Sequence, residues 1–259
     1  MSILVVDRAD AVATLTLNRP DSRNALNVDL LVALREAFAA LSSEQKVRAV
    51  ILTGARPAFC AGADVKEWAA EKTSSTPTRD WVAEAIHMMQ SVRDCPKPVI
   101  ASIDGACVGA GLDLALCADF RLASERSKFI CSYTHLAYPP DAGGTWLLPR
   151  IVGLQAARHF IYTGETWLGP RAAEHGLIDQ SLPEEQLSGA VAVFADQLAH
   201  GPTRAIAEAK RLLTTSFSNT FAEQLALEQA AGKRCAATSD HAEALAAAGA
   251  RRRAEFLGL

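Results

Sequence analysis

The chain has 259 residues and a mass of 27.6 kDa, with 49% hydrophobic and 21% charged residues. This composition is typical of a globular protein with one sizeable core. Because 26 basic residues face 29 acidic ones, for a net charge of −3, nucleic acid and anionic lipid surfaces are unfavourable partners. No basic segment precedes an apolar run at the N-terminus, and no uninterrupted apolar stretch reaches about 18 residues. The sequence therefore predicts a cytoplasmic protein without membrane contact.

Cysteine and histidine usage gives no indication of a metal site. The six histidines include no H-E-x-x-H pattern, and the cysteines include no C-x-x-C pair. Scattered cysteines of this kind predict buried thiols in a reducing compartment rather than disulfides. These cysteines are Cys60, Cys95, Cys107, Cys117, Cys131 and Cys235.

The first elements follow an α/β rhythm. Apolar and β-branched residues at 3–6 and 12–17 predict an opening hairpin. Residues 27–41 carry apolar side chains at helical spacing, and 48–53 form a short apolar strand before Gly54. Strand, glycine turn and helix in succession predict a mixed α/β fold.

The rhythm then repeats, and the chain ends in helices. Strands lead into two similar Ala-Gly-x-Asp turns at 61–64 and 110–113, and a strand at 119–123 precedes a Pro-Pro-Asp-Ala-Gly-Gly turn. The polar segment 72–78 predicts a mobile loop. Helical periodicity at 202–213, 221–235 and 241–256 predicts a helical tail that packs on the core or on another subunit. We therefore divide the chain into a core of residues 1–200 and a C-terminal helical region of residues 201–259.

The two Ala-Gly-x-Asp turns are the first candidate for chemistry. A small-residue turn at a helix start leaves backbone N–H groups without intrahelical partners and lets a substrate oxygen approach them. Two such turns facing each other would form an oxyanion hole for a thioester enolate or a tetrahedral intermediate. Alternatively, the glycines only permit close packing of strand and helix. The sequence contains no P-loop and no G-x-S-x-G pattern. A dinucleotide-binding loop is also absent, because Leu114 stands where that pattern needs a third glycine.

Four segments together resemble the crotonase (enoyl-CoA hydratase/isomerase) superfamily. They are residues 18–27, 58–66, 97–111 and 141–150, in the order and spacing of that family. The resemblance implies an α/β spiral of ββα units, of the kind shared by crotonase and ClpP, closed by a C-terminal helical region. It also implies a homo-oligomer, either a trimer or a dimer of trimers, and an acyl-CoA thioester substrate with no separate cofactor.

The resemblance assigns a role to several residues. The thioester oxygen would bind the N–H groups of Ala63 and Ala110, in agreement with the two-turn hypothesis. Further residues would line the acyl-CoA path, with Lys66 either on a CoA phosphate or on a solvated helix face. These residues are Ala25, Asp64, Val65, Lys66 and Tyr133.

The reaction depends on three positions. Hydratases of the family use two glutamates, and the corresponding positions hold Asp113 and Tyr133 here, which disfavours water addition. Asp141 lies where dienoyl-CoA isomerases and the ring-epoxide isomerase of phenylacetate breakdown place their acting aspartate. We therefore predict isomerisation by Asp141, with Asp113 as a second catalytic candidate and hydration as the alternative. In a purely structural interpretation, Asp141 caps the following helix and Asp113 is a first-turn acid.

Two other members of the superfamily offer competing interpretations. A hydrolytic dehalogenase keeps a nucleophilic aspartate at position 141, but its base histidine would fall on Ile86, with His87 one residue away. An RNA-binding branch fits poorly with the acidic balance. The basic run 251–253 is interpreted as a solvated helix face or as a contact to a CoA phosphate across the oligomer.

Overall fold

Strands and helices alternate through most of the chain in a computed structural model that describes residues 2–71 and 80–259. The strands of these residues are β1 (Leu4–Ala9), β2 (Val12–Leu17), β3 (Ala49–Gly54), β4 (Val99–Ile103), β5 (Ala106–Val108), β6 (Phe120–Ser124), β7 (Lys128–Ile130), β8 (Thr166–Leu168) and β9 (Gln180–Leu182). The helices are α1 (Val28–Ser43), α2 (Val65–Glu71), α3 (Trp81–Arg93), α4 (Ala110–Cys117), α5 (Gly144–Val152), α6 (Leu154–Thr163), α7 (Gly169–Glu174), α8 (Glu184–Ala199), α9 (Thr203–Ser216), α10 (Phe221–Ala236) and α11 (Ser239–Ala250). Short 3₁₀ turns cover Pro20–Ser22 and Ser132–Leu136.

The strands of the described residues form two sheets. Six strands follow the order β1-β2-β3-β4-β6-β9, in which only β1 is antiparallel to its neighbour. The second sheet has the order β5-β7-β8. The predicted opening hairpin is confirmed as β1 and β2, and the predicted strands at 48–53 and 119–123 are confirmed as β3 and β6. The segment that follows β3 pairs in parallel with β5 through the bridge between Cys60 and Cys107, so the turns after β3 and β5 lie next to each other.

Helices cover both faces of the larger sheet. On one face, α1 inserts Leu30, Leu34 and Phe38 into the main core, alongside buried residues of α3 and α4. On the other face, α8 packs Leu187 and Val191 against the sheet. The predicted helix at 27–41 is confirmed, and Asn27 caps its N-terminus because its side chain accepts a hydrogen bond from Leu30 N.

The C-terminal helices α9 and α10 lie where the sequence predicts helices. The start of α9 is tied to the core by Arg48, whose guanidinium donates to Thr203 Oγ1 at 2.8 Å and to the carbonyl of Gly201 at 2.6 Å. Lys210 adds an ion pair of 2.8 Å with Asp119. These contacts fix one side of the region on the core. The other side carries exposed apolar residues, among them Leu213 and Phe217.

The third helix of the tail is shorter than predicted. Instead of continuing to residue 256, α11 ends at Ala250, since Arg251 takes the left-handed conformation with φ 52°. The chain then turns back, and Asp240 accepts hydrogen bonds from the N–H groups of Leu257 and Gly258. The basic run 251–253 is therefore not on a helix face, and Arg252 pairs with Glu243.

Three further features can be compared with the sequence predictions: the cysteines, the polar segment 72–78 and the apolar character of the helices. Five of the six cysteines are buried free thiols, as predicted, and Cys235 is partly exposed. The predicted mobile loop at 72–78 lies outside the described residues. Within residues 2–71 and 80–259, none of the helices has the length and apolar character needed to cross a bilayer.

Candidate active site

The first Ala-Gly-x-Asp turn connects β3 to α2 and is held by the chain on both sides. Leu26 N donates to Gly62 O at 2.7 Å, and Asp64 N donates to Leu26 O at 3.1 Å. Gly62 has φ +95°, and a Cβ there would lie 2.8 Å from Val108 O and 3.6 Å from Ala110 N. Glycine is therefore required both by the backbone conformation and by the close approach of the second turn.

The second turn begins α4 directly behind the first. Gly109, with φ +52°, precedes the helix, and its N–H donates to Ile130 O at 2.9 Å. A Cβ on Gly111 would lie 2.7 Å from Cys60, so this glycine also allows the two turns to touch. The glycines thus serve the close packing that the sequence offered as an alternative, and the same packing brings Ala63 and Ala110 together.

The backbone N–H groups of Ala63 and Ala110 are available to a ligand. Ala110 is the first residue of α4, so its N–H has no acceptor within the helix. Among the described residues, no acceptor takes a hydrogen bond from either N–H. The positive end of the α4 dipole adds to the preference for a negative oxygen here. Two donors and small side chains together can stabilise an oxyanion.

A pocket of about 50 Å³ lies in front of these donors. Five of the predicted site residues line it: Ala63, Val65, Ala110, Tyr133 and Asp141. This volume holds one or two water molecules rather than a whole acyl group. The outer wall consists of partly exposed side chains, including Leu136 and Tyr138, so the pocket meets the surface there.

Larger cavities lie elsewhere on the molecule, and two of them have many times the volume of the small pocket. One, of about 590 Å³, lies between the end of α3 and helices α9 and α10. The other, of about 630 Å³, lies against α5 and α6 on the far side of Tyr138. Neither contains Asp141 or either Ala-Gly-x-Asp turn. We therefore assign the chemistry to the small pocket, because in the described part of the chain none of the other cavities is lined by an acid together with the two N–H donors.

Asp141 is the one acid among the described residues that line the small pocket. Both of its carboxylate oxygens are buried, and neither has a hydrogen-bond partner of normal geometry among residues 2–71 and 80–259. Burial raises the pKa of Asp141, an effect that the nearby Tyr138 hydroxyl partly offsets. Gly143, not Asp141, occupies the N-cap of α5, and no side chain caps that helix. The capping interpretation of Asp141 is therefore wrong.

Asp113 lies behind the pocket wall, where it forms a hydrogen-bonded pair with Tyr133, a residue of the wall itself. The Tyr133 hydroxyl donates to Asp113 Oδ2, and both side chains are buried. Burial raises the pKa of Asp113 to about 7, the Tyr133 hydrogen bond opposes this, and the neighbouring Asp141 charge adds to it. Burial, followed by the Asp113 charge, also raises the pKa of Tyr133. Asp113 itself does not line the pocket.

The other predicted ligand residues lie around the mouth of the site or outside it. The Asp64 carboxylate pairs with Arg19 at 2.9 Å and accepts from Lys66 N at 3.2 Å, so it holds the start of α2. The Ala25 carbonyl accepts a hydrogen bond from Arg19. The Lys66 side chain is exposed, and none of Ala25, Asp64 and Lys66 lines the pocket. Their CoA-binding roles stay predictions.

Three further residues of the site were not predicted from the sequence. Trp68 and Tyr138 form a wall of the pocket, with ring centroids 5.4 Å apart and nearly perpendicular planes. Buried Asn24 supports the first turn, because its amide donates to the carbonyls of Ala55 and Ala58 at 2.7 Å. All three lie within or next to the segments that resemble the family, but their spacing gives no sign of which side chains reach the pocket.

Comparison with known proteins shows the family to which the chain belongs. The family model described as enoyl-CoA hydratase/isomerase matches residues 7–258. The 1,2-epoxyphenylacetyl-CoA isomerase of Escherichia coli K12 is 32% identical over 95% of each chain, and the crotonyl-CoA hydratase of Syntrophomonas wolfei is 29% identical over 98% of this chain and 97% of that one. The structure of an enoyl-CoA hydratase from Bacillus anthracis matches all of both chains with 33% identity and a TM-score of 0.94.

The fold and the relatives thus place the chain in a class of enzymes. The chain belongs to the enoyl-CoA hydratase/isomerase family, the crotonase superfamily, as the sequence motifs predicted. Ile86 and His87, which the dehalogenase interpretation would require, lie on α3 and do not line the pocket.

Proposed function

We propose that this enzyme isomerises an acyl-CoA thioester, with Asp141 as the proton carrier. The observation that supports this most strongly is that Asp141 is the one acid lining the pocket in the described part of the chain. Isomerisation needs one base, because the group that removes a proton from one carbon can return it to another. Water addition needs a second group to activate or position the water.

In the proposed reaction, the carboxylate of Asp141 takes a proton from the acyl group, and the bonding electron pair moves into the thioester to form an enolate or dienolate. The N–H groups of Ala63 and Ala110 stabilise the negative oxygen. Protonated Asp141 then gives a proton to a different carbon of the dienolate, and the electron pair on the oxygen returns to re-form the thioester carbonyl, which leaves the carbon–carbon double bond in its shifted position. The raised pKa of Asp141 suits this task, since a carrier must both accept and release the proton.

Tyr133 and Asp113 argue against water addition. Tyr133 stands where hydratases have a second carboxylate, and its raised pKa keeps its hydroxyl protonated. Asp113 lies behind Tyr133 and outside the pocket lining. Neither group is therefore in a position to deprotonate a water molecule over the thioester.

For the substrate, we propose an acyl-CoA whose thioester enters past Val65, with the CoA phosphates outside the pocket near exposed Lys66. The similarity to the E. coli isomerase supports a ring or double-bond rearrangement of the acyl group. We also propose that the enzyme is a homotrimer or a dimer of trimers. The exposed apolar side chains of Leu213, Phe217 and Phe221 support this, because an apolar surface of this kind is stabilised by a second copy.

Incubation with a panel of enoyl-CoAs in D₂O, followed by mass spectrometry, tests the reaction. We expect deuterium at Cα or Cγ of an isomerised product with no gain of water, because Asp141 exchanges its proton with solvent during some turnovers. A parallel incubation in ¹⁸O-labelled water reports hydration directly. Products that carry ¹⁸O would contradict the proposal in favour of a hydratase, and absence of turnover on every thioester would favour a binding role.

A further inference from the structure

The buried contact between Asp113 and Tyr133 connects a carboxyl group outside the pocket to a hydroxyl group at its wall. Tyr133 lines the pocket together with Asp141, whereas Asp113 does not. The Tyr133 hydroxyl contacts Asp113 Oδ2. Any effect of Asp113 on a bound acyl group is therefore transmitted by Tyr133 or by the charge of Asp113.

The Asp113 carboxyl group is held in place between two helices. Asp113 N donates to Gly109 O at 3.1 Å in the first turn of α4. On the other side, the start of α5 presses against the carboxyl group, since a Cβ on Gly144 would lie 2.2 Å from Asp113 Oδ1. Gly144 thus limits the movement of the Asp113 side chain on that side, and the proton shared with Tyr133 is the part of the pair that changes with pH.

Two hydrogen-bond arrangements are possible for this pair. When Asp113 is ionised it only accepts, so the single Tyr133 proton is engaged with it. When Asp113 is protonated, its own hydroxyl donates to the Tyr133 oxygen, and the Tyr133 proton is free to point elsewhere. Because Tyr133 lines the pocket, a hydroxyl proton that Asp113 no longer engages is available to an acceptor bound there.

The surroundings of Asp113 favour its protonated form over an unusually wide pH range. No Lys, Arg or His nitrogen of the described residues lies within 4 Å of its carboxylate, and burial raises its pKa to about 7. The titratable groups that interact with it from the neighbouring elements are Tyr133, Asp141 and the thiols of Cys107, Cys117 and Cys131. Each of these is neutral or negative, so none of them stabilises the ionised carboxylate by charge.

We propose that Asp113 is a positioning residue that directs the Tyr133 hydroxyl: protonated Asp113 makes that hydroxyl a hydrogen-bond donor to the acyl thioester, and ionised Asp113 withdraws it. The inference rests on the proposed acyl-thioester reaction at Asp141 and adds Tyr133 as a substrate contact. It requires no proton transfer to the substrate from either residue. It predicts two ionisations with opposite effects, since Asp141 must be ionised and Asp113 must be protonated.

The pH dependence of kcat/KM tests this arrangement. For the wild type we expect a bell-shaped profile, whose high-pH fall near 7 reflects ionisation of Asp113. In Asp113→Asn the amide donates to Tyr133 at every pH, so the high-pH fall disappears. In Tyr133→Phe the fall also disappears, and kcat/KM below pH 7 drops by roughly 10-fold, the effect of one lost hydrogen bond. A double variant that matches Tyr133→Phe alone would support transmission by Tyr133.

Matched controls separate this effect from general damage. Asp10→Asn alters an exposed hairpin residue whose φ of 50° asparagine tolerates, and Tyr162→Phe alters an exposed tyrosine of α6. Both should keep the wild-type pH profile. An unchanged high-pH fall in Asp113→Asn, or a fall retained in Tyr133→Phe, would overturn the proposal.

A spectroscopic measurement tests the same proposal without turnover. Infrared difference spectra should show a protonated carboxyl C=O band that disappears as the pH rises through about 7 and is absent from Asp113→Asn. If that variant does not fold, ¹³C NMR of wild-type protein labelled at the aspartate carboxyl carbons gives the same titration. A carboxyl group that ionises with an ordinary pKa would refute the role of Asp113. These spectra do not depend on whether the enzyme isomerises or hydrates, so the two proposals fail separately.

Discussion

Replacing Asp113 with asparagine should change the pH dependence of stability as well as that of activity. The pKa of Asp113 is raised from 3.8 to about 7 in the folded chain, so the folded state binds this proton more tightly than the unfolded state. The stability that this proton contributes is fully present below about pH 4 and is lost as the pH rises through about 7. Asparagine is neutral throughout and keeps a donor for Tyr133.

The size of the effect follows from the shift. One pKa unit corresponds to about 1.4 kcal/mol, so the free energy of unfolding of Asp113→Asn relative to wild type should increase by about 3 kcal/mol between about pH 5 and about pH 8. This is a large share of a typical net stability of about 5–15 kcal/mol. Urea unfolding followed by circular dichroism at both pH values measures it, with Asp10→Asn as the control. A stability difference that does not change with pH would refute the buried, protonated Asp113.

Three further changes test the packing that forms the site. Gly62→Ala should lower kcat by about 10²-fold, because the strained turn displaces an oxyanion donor. Gly232→Ala is the control, since a Cβ at that position contacts nothing. Equal kcat in the two variants would refute the requirement for glycine at position 62. Gly144→Ala should destabilise the fold by about 1–3 kcal/mol in urea titrations through overlap with Asp113, whereas Gly189→Ala should not; a neutral Gly144→Ala would contradict the close contact. Deletion of the residues after Gly201 should give insoluble protein or monomers with weak CoA affinity. A truncated chain with the wild-type oligomer mass and CoA affinity would show that the C-terminal helices neither assemble the oligomer nor complete the site.

The sequence predicted the elements that strong local patterns specify. The opening hairpin, α1, and the strands β3 and β6 were placed correctly, because alternating or helical apolar spacing fixes which face is buried. The end of α11 was predicted incorrectly, because residues 251–256 include alanine and arginines with good helix propensity. Long-range hydrogen bonds turn the chain back instead: Asp240 accepts from Leu257 N and Gly258 N, and Arg48 donates to Phe256 O.

The site was predictable in part for the same reason. Its glycine turns and Asp141 are local motifs, and the structure brings Ala63, Ala110 and Asp141 to one pocket. The pairing of Asp113 with Tyr133 joins residues that are 20 positions apart on different elements, so it cannot be predicted from local spacing. The engagement of Asp64 by Arg19 is likewise a long-range contact, which a reading of residues 58–66 alone does not reveal.

The most direct test of the proposed chemistry is Asp141→Asn. This change removes the proton carrier and keeps the side chain's shape and the two N–H donors, so the account predicts that kcat falls by at least about 10²-fold. Affinity for a saturated acyl-CoA, measured by calorimetry, should stay within a few-fold of wild type. A variant that keeps most of its kcat on the same isomerised substrate would contradict the assignment of Asp141 as the base.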